Sequence, residues 1–241
     1  ITASGGNHGL AVAYGARCAG IPARVAVPSS TPVAKIHALQ AWGAEVTVVG
    51  DGWDDANDWA LLEAQRVGWR YIHPFAEPEV IAGQGTLGLE LAELANPPDV
   101  IVVAIGGGGL ASGVCIAVQG LRPQTRIVGV EPVGAPTMHD SLAAGKLITL
   151  PSLNTRAGSL APRRSEPLPF AILQRHIDRV VLVNDEEMAL AARWLREEFA
   201  LEAELAGAAS LAAWRTGRVP IDPATERHVV LVVCGAAQTV V

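Results

Sequence analysis

The sequence predicts an α/β fold of parallel sheets with helices on both faces, and three observations carry this prediction. Short apolar runs alternate with helical stretches of about 10–15 residues along most of the chain. Residues 100–105 are apolar without interruption, which is typical of a strand buried on both faces. Four glycines follow this run, and sheets of this class bind ligands at the carboxyl ends of their strands.

The first part of the chain gives clear signals for helix starts and stops. Alanine-rich residues 10–19 follow Ser and Asn, which are common N-cap residues. Pro32 suits the first turn of a helix that Gly43 ends. Together these signals predict strands at 23–27, 45–49 and 70–73, and helices at 10–19, 32–42, 54–66 and 77–94.

The second part repeats the alternation after a long interruption. Residues 147–169 are rich in Pro, Ser, Asn and basic side chains, and they predict a loop. The basic pair Arg163 and Arg164 lies in it, and we expect a solvated surface there in preference to an anion site. Asn184 predicts the cap of the next helix. The remaining predictions are strands at 126–130, 180–183 and 228–233, and helices at 110–118, 137–144, 184–198 and 206–214.

Composition and charge exclude several classes of protein. The net charge of −6 gives no basic footprint for nucleic acid. No apolar run approaches the ~18–20 residues of a membrane span. Cys18, Cys115 and Cys234 are far apart and lack metal or pairing spacing, which fits a reducing cytoplasm. The chain opens at Ile1 inside a motif, so we expect an N-terminal part that this chain does not contain.

Gly106, Gly107, Gly108 and Gly109 predict a phosphate cradle. Glycines let the backbone bend without a Cβ penalty and bring bare N–H groups close to a ligand. The helix predicted at 110–118 would place them at a helix N-terminus, where unpaired N–H groups and the macrodipole favour an anion. The alternative is a tight turn without a ligand.

A second polar loop opens the chain. Ser4, Asn7 and His8 cluster around Gly5 and Gly6 just before a predicted helix. Simple helix capping would explain one of these polar side chains but not the whole cluster. We therefore expect a second loop that binds an anion or a polar ligand.

The glycines also allow a dinucleotide-binding interpretation. Gly106, Gly108 and Ala111 match the permissive G-x-G-x-x-A fingerprint, and Glu131 ends the next strand like a ribose acceptor. About three βα units precede this fingerprint, whereas a Rossmann fold places it after the first strand. A nicotinamide-dependent oxidoreductase therefore remains a distant alternative.

Taken together, the motifs resemble the pyridoxal-phosphate enzymes of the tryptophan-synthase-β fold, fold type II, in their threonine and serine dehydratase and serine racemase branch. The resemblance covers nearly the whole chain and depends on the order of individually weak stretches. They are Ser4-Gly5-Gly6-Asn7-His8-Gly9, Pro32 with Lys35 before Gly43-Ala44-Glu45-Val46, Tyr71-Ile72-His73-Pro74-Phe75, Ala82-Gly83-Gln84-Gly85-Thr86, residues 106–110, Gly129-Val130-Glu131-Pro132, Val183-Asn184-Asp185-Glu186-Glu187, Glu204 with Ala206-Gly207-Ala208, and Val233-Cys234-Gly235.

The resemblance implies a role for each part of the site. The tetraglycine loop and the N–H of Leu110 would hold the phosphate of pyridoxal 5′-phosphate, and Asn7 would bond the pyridoxal 3′-oxygen. Cys234 would lie beside the pyridine nitrogen, and Glu204 would also border the cofactor. The substrate carboxylate would be held by Ser4, His8 and the main chain around Gly5 and Gly6. The implied reaction is β-elimination from serine or threonine, giving an enamine that hydrolyses to a 2-oxo acid and ammonia.

The chain departs from the family pattern at its catalytic lysine. The family's Schiff-base lysine lies upstream of the Asn7 loop, so we expect no catalytic residue in this chain. Its lysines, Lys35 and Lys146, are assigned no such role. A non-catalytic or truncated homologue is therefore an alternative to an active dehydratase.

Further departures concern specificity and metal binding. Racemases of the family carry a serine where this chain has Gly5, so racemisation is disfavoured. The family's cation site would use Glu131 and Ala135, but Thr137 replaces its aspartate, so we expect no metal. Residues 157–159 read Ala-Gly-Ser in place of Ala-Asp-Gly, and a leucine follows Glu204 where proline is usual.

The resemblance also implies two lobes and a partner. Residues 2–72 would form a smaller mobile lobe, and residues 73–241 the larger lobe that binds the cofactor. Closure of the smaller lobe would exclude water from the reaction. Relatives are commonly homodimers, and we expect a small amino-acid substrate, with no nucleic acid and no membrane as partners.

Overall fold

The computed structural model describes residues 1–236 and divides into two compact units. The first is Ile1–Glu77, and the second begins at Pro78. Each unit is built on one parallel sheet. The α/β class and the parallel sheets predicted from the sequence are confirmed. Across the described residues, no helix is both long enough and apolar enough to cross a membrane.

The first unit is a three-stranded sheet between two helical layers. Its strands β1 (Thr2–Ala3), β2 (Arg24–Val27) and β3 (Glu45–Val48) lie in the order β1-β2-β3, and its helices are α1 (Asn7–Ala19), α2 (Val33–Ala41) and α3 (Trp53–Val67). Successive residues of β2 face opposite sides of the sheet. Ala26 packs with the alanines of α3, whereas Val25 packs with Ala13 of α1 and Leu39 of α2.

The second unit is a four-stranded sheet in the order β6-β5-β4-β7. Its strands are β4 (Val100–Ala104), β5 (Arg126–Pro132), β6 (Arg179–Val183) and β7 (Val229–Leu231). Its helices are α4 (Pro78–Ala92), α5 (Gly109–Leu121), α6 (Thr137–Ala144), α7 (Pro167–His176), α8 (Asp185–Phe199) and α9 (Ala209–Arg215), with a 3₁₀ turn at Gly158–Leu160.

Strand β4 lies inside this sheet and is buried along its whole length. Val100 and Val102 belong to the core beneath α8 and α9, whereas Ile101 and Val103 belong to the core beneath α5 and α7. The unbroken apolar run is therefore explained by burial on both faces. Residues 105–108 follow β4 at the end of a sheet that helices cover on both faces.

Several predicted elements differ from the observed ones, among them helix α1, which begins at Asn7, three residues earlier than predicted. Residues 70–73 form no strand. Two main-chain bonds join them to Ile1, whose nitrogen donates to the Arg70 carbonyl at 2.9 Å and whose carbonyl accepts the Ile72 N–H at 2.8 Å. The ladder stops there, because the Ile72 carbonyl accepts the Thr2 hydroxyl, at 2.7 Å, in place of a backbone N–H. Helix α7 occupies the end of the predicted loop, since Pro167 stands at its first position, where a missing N–H costs nothing. Helix α9 begins at Ala209, three residues later than predicted.

Candidate functional site

The tetraglycine loop joins the central strand to a helix in the second unit. Ile105 donates to the Val130 carbonyl at 2.8 Å, so sheet pairing continues up to the loop. Gly108 is the N-cap of α5, and the Ser112 N–H donates to its carbonyl at 2.8 Å. The N–H groups of Gly109, Leu110 and Ala111 precede this bond and have no acceptor within the helix. With the positive end of the helix dipole, they form a site for an anion.

Two of these glycines leave little or no room for a side chain. A Cβ on Gly106 would lie 2.7 Å from the Ser159 carbonyl oxygen. Gly108 has φ +99°, and a Cβ there would lie 3.0 Å from the Cβ of Pro169. Neighbouring residues thus fill the space on the side-chain side of the loop. The backbone can present its amides at close range, and the loop fits a phosphoryl group.

Cys234 lies three residues after the end of β7, the strand that pairs with β4. The Val232 N–H donates to the Val102 carbonyl at 2.9 Å, so β7 and β4 end at the same edge of the sheet. Burial, together with the negative charge of Glu204, raises the pKa of the Cys234 thiol to about 11. The thiol is therefore protonated and neutral near pH 7.

Glu204 lies against the same turn. Its N–H donates to the Gly235 carbonyl at 3.0 Å, and a Cβ on Gly235 would overlap its Oε1. A Cβ on Gly207 would overlap the Cys234 carbonyl oxygen. Two candidate residues from separate parts of the chain, Glu204 and Cys234, are thus brought together at one edge of the second unit's sheet.

The second polar loop stands at the start of α1 in the first unit. Gly6 is the N-cap, and its N–H donates to the Ser4 hydroxyl oxygen at 3.2 Å. Asn7 begins the helix, and its side chain is exposed. A Cβ on Gly9 would overlap the Ser4 carbonyl oxygen, so strand end and helix approach closely. The loop therefore presents amides and a hydroxyl at a helix N-terminus.

His8 is turned toward its own unit. Its Nε2 lies 3.1 Å from the Thr2 hydroxyl oxygen, whose single proton is donated to the Ile72 carbonyl at 2.7 Å. With the Thr2 proton directed at the Ile72 carbonyl, the His8 tautomer that completes this pair carries its proton on Nε2. Burial lowers the pKa of His8 from its ordinary value of 6.5, against the opposing effect of a hydrogen bond to the Ile72 backbone, so the ring is neutral near pH 7. The Nε2 donor is thus committed to positioning the first turn of α1.

His73 and Thr2 are two residues of this region that the sequence does not mark as site residues. The His73 Nδ1 accepts the N–H groups of Phe75 and Ala76 at 3.3 and 3.1 Å. Burial, with a smaller contribution from the His8 ring once that ring is protonated, lowers the pKa of His73 to about 4. His73 lies in the stretch 71–75 that contributes to the family resemblance, but neither its local sequence nor that of Thr2 assigns the residue a role.

Glu131 serves as a helix cap and lies deep in the second unit. Its Oε1 and Oε2 accept the N–H groups of Met138 and His139 at 2.8 and 2.7 Å. Burial raises its pKa to about 8. The dinucleotide interpretation requires this carboxylate to bind a ribose. Both of its oxygens are directed at α6, so neither is available for that role.

The weak metal candidates gain no further ligand. Ala135 donates its N–H to the Pro132 carbonyl at 2.9 Å, and the Thr137 hydroxyl donates to the Pro162 carbonyl at 2.7 Å. Within residues 1–236, no group of three or more His, Cys, Asp or Glu side chains could hold a metal ion. Of the two lysines, Lys35 lies on α2 and Lys146 is exposed after α6.

Similarity to known proteins extends over nearly the whole chain. The profile of the family described as "Pyridoxal-phosphate dependent enzyme" matches residues 1–235. The chain is 43% identical over 221 residues to an L-threonine ammonia-lyase of Geobacter sulfurreducens, covering 91% of this chain and 54% of the relative. It is 38% identical over 213 residues to an L-threonine ammonia-lyase of Thermotoga maritima, covering 88% and 53%. The chain thus spans about half the length of these curated relatives.

Solved structures give the same result for the fold. The structure of maize serine racemase matches with a TM-score of 0.93 at 32% identity, covering 99% of this chain and 73% of that one. The processed form of threonine deaminase isoform 2 from Solanum lycopersicum matches with a TM-score of 0.90 at 32% identity, covering 100% and 70%. Both assignments drawn from the motif order, the family and its fold type II architecture, are confirmed.

Proposed function

The chain belongs to the family of pyridoxal-phosphate dependent enzymes, and from this premise we propose that it is part of an ammonia-lyase acting on a hydroxy-amino acid such as threonine or serine. The products would be a 2-oxo acid and ammonia. The observation that carries the proposal is the row of amides that begins α5, at the sheet edge where β7 also ends. The relatives named L-threonine ammonia-lyase support the same reaction.

The second unit would hold the cofactor. The N–H groups of the tetraglycine loop and of Leu110 would bind the phosphate, and the Cys234 thiol would face the ring nitrogen, with Glu204 beside it. When bound, pyridoxal phosphate supplies the electron sink that acidifies the α-proton of an amino acid. A protonated thiol offers the ring nitrogen a neutral partner in place of a carboxylate. It thereby moderates the electron sink, which suits elimination of a β-hydroxyl.

The first unit would hold the substrate. The Ser4 hydroxyl and the main chain at Gly5 and Gly6 would bind the substrate carboxylate at the helix N-terminus, and Asn7 would bind the 3′-oxygen of the cofactor. The family resemblance assigns His8 to the carboxylate as well. Because its Nε2 proton is shared with Thr2, we propose instead that it positions this turn. Closure of residues 2–72 during turnover belongs to the same proposal.

Racemisation is the second candidate, because relatives include a serine racemase of Oryza sativa subsp. indica that is 36% identical over 213 residues. Elimination is favoured at Gly5, which has no side chain to hold a proton. A Cβ there would lie 2.9 Å from the Thr31 Cγ2 and 3.1 Å from its Oγ1. A serine at this position would therefore require Thr31 to move.

The proposal also includes a cytoplasmic location and a homodimeric assembly. The described cysteines are free, Cys18 and Cys115 among them, and free thiols fit a cytoplasmic location. A homodimer is the assembly that the family resemblance implies. Sedimentation of the purified full-length protein tests the dimer.

An absorbance spectrum of the full-length protein, followed by a product assay, tests the proposal. We expect a band near the edge of the visible range that borohydride abolishes, and 2-oxo acid formed from L-threonine or L-serine. Chiral analysis of the remaining substrate separates elimination from racemisation. A protein with the band but no product would be a non-catalytic homologue. A protein that lacks the band and responds to NAD would overturn the proposal.

A further inference from the structure

A buried serine from the long loop contacts the tetraglycine loop. Ser165 has no exposed surface, and its hydroxyl donates to the Gly107 carbonyl at 2.8 Å. In the sequence, it follows the basic pair Arg163 and Arg164 in a stretch expected to be solvated. The bond therefore gives this stretch a contact with the candidate anion site.

The bond fixes the direction of one peptide unit. In a planar trans peptide, the carbonyl and the following N–H point in opposite directions. Because the Gly107 carbonyl points at Ser165, the Gly108 N–H points away from Ser165. The peptide between two glycines can adopt several orientations at little cost, because neither residue carries a Cβ. One hydroxyl can therefore decide which way this amide faces.

The segment that carries Ser165 is itself anchored. The Thr137 hydroxyl donates to the Pro162 carbonyl at 2.7 Å, and the Arg163 Nε donates to the Leu150 carbonyl at 3.1 Å. Shortly after Ser165, α7 begins, and its Pro169 would meet a Cβ on Gly108 at 3.0 Å. The hydroxyl is thus held in place from both sides along the chain.

We propose that Ser165 is a positioning residue that presets the Gly107–Gly108 peptide with its N–H toward the phosphoryl group of the ligand. This inference rests on the proposed function, since it assumes that the tetraglycine loop binds the cofactor phosphate. Ser165 does not touch the ligand. It acts through the main chain, by removing the alternative orientation of the amide before the ligand arrives.

The test compares two ligands that differ only in the phosphate. Apoprotein is prepared from the full-length protein, and the dissociation constants of pyridoxal phosphate and pyridoxal are measured by quenching of tryptophan fluorescence. For Ser165→Ala, we expect pyridoxal phosphate to bind about five- to tenfold more weakly, the equivalent of one hydrogen bond. Pyridoxal should bind as it does to the unchanged protein. The ³¹P resonance of bound pyridoxal phosphate should also shift.

Thr125→Val is the matched control. The Thr125 hydroxyl is buried and donates to the Pro98 carbonyl at 2.7 Å, just before β5 begins and so at the opposite end of the sheet. It should leave both dissociation constants unchanged. Equal affinities of Ser165→Ala and unchanged protein for pyridoxal phosphate would overturn the inference, as would an equal loss for both ligands. If the unchanged protein bound no pyridoxal phosphate, the proposed function itself would fail.

Discussion

Replacing Gly108 by alanine should damage the second unit more than replacing a glycine with open space around it. Gly108 has φ +99°, where an L side chain costs about 1–2 kcal/mol. Its Cβ would also lie 3.0 Å from the Pro169 Cβ, 3.2 Å from the Leu173 Cδ1 and 3.3 Å from the Met138 Cε. The methionine can move, but the proline ring is rigid, so overpacking adds about 1–3 kcal/mol. We expect a total loss of about 2–5 kcal/mol from these two contributions.

Gly145→Ala separates the two contributions. Gly145 also has a positive φ, +66°, but a Cβ there meets nothing within 4 Å. It caps the C-terminus of α6, so its replacement should cost only the backbone part, about 1–2 kcal/mol. The stability of both variants should be measured in the full-length protein by urea unfolding, with far-UV circular dichroism as the signal. The difference between them reports the crowding at the tetraglycine loop.

The same pair of variants distinguishes stability from ligand binding. Gly108→Ala should also weaken pyridoxal phosphate binding, because the shifted N-cap displaces the amides of α5, whereas Gly145→Ala should leave its affinity unchanged. Equal losses of stability in the two variants would refute the packing argument. Unchanged affinity in a folded Gly108→Ala protein would refute the assignment of the loop to the phosphate.

Three further outcomes follow from perturbed ionisation. Burial raises the pKa of Glu131 from 4.5 to about 8. The contribution of this carboxyl to the free energy of unfolding is therefore complete below pH 4.5 and is lost as pH rises towards 8. The difference in unfolding free energy between unchanged protein and Glu131→Gln should fall over this range. Burial lowers the pKa of His73 from 6.5 to about 4, so its contribution is present above pH 6.5 and is lost as pH falls towards 4. An NMR titration midpoint at the ordinary histidine value of 6.5 would contradict this. Mildly alkaline iodoacetamide should label exposed Cys18 first, because burial raises the thiol pKa of Cys115 to about 12 and that of Cys234 to about 11; peptide mass spectrometry gives the order.

The sequence predicts strands well where burial on both faces dictates their composition. Strand β4 is the clearest case, since each of its five residues must be apolar. Residues 70–73 also carry strand-forming side chains and join Ile1 through two main-chain bonds. The Ile72 carbonyl then accepts the Thr2 hydroxyl in place of a backbone N–H, so no ladder continues. The sequence does not predict helix α7, because prolines usually break helices. Pro167 is compatible with helix because it stands where the N–H has no acceptor.

The candidate site also has features that the sequence predicts and features that it does not. The tetraglycine loop is predictable because four glycines between a strand and a helix have few other physical reasons to occur together. The contact between Glu204 and Gly235 is not predictable from the sequence, because it depends on the bridge between Ala203 and Ala236. The bond from Ser165 spans 58 residues to Gly107. A serine among prolines and arginines carries no local sign of such a partner.

The tetraglycine loop is shaped from outside as much as by its own flexibility. Free glycines would lose more conformational entropy on ordering than any other residues. In this unit, the cost is reduced before a ligand binds, because residues 159–169 crowd Gly106 and Gly108 and hold the peptide between Gly107 and Gly108. The least regular segment of the second unit would therefore preorganise the candidate anion site. Substitutions in this segment should change affinity for the phosphate more than they change the stability of the sheet beneath it.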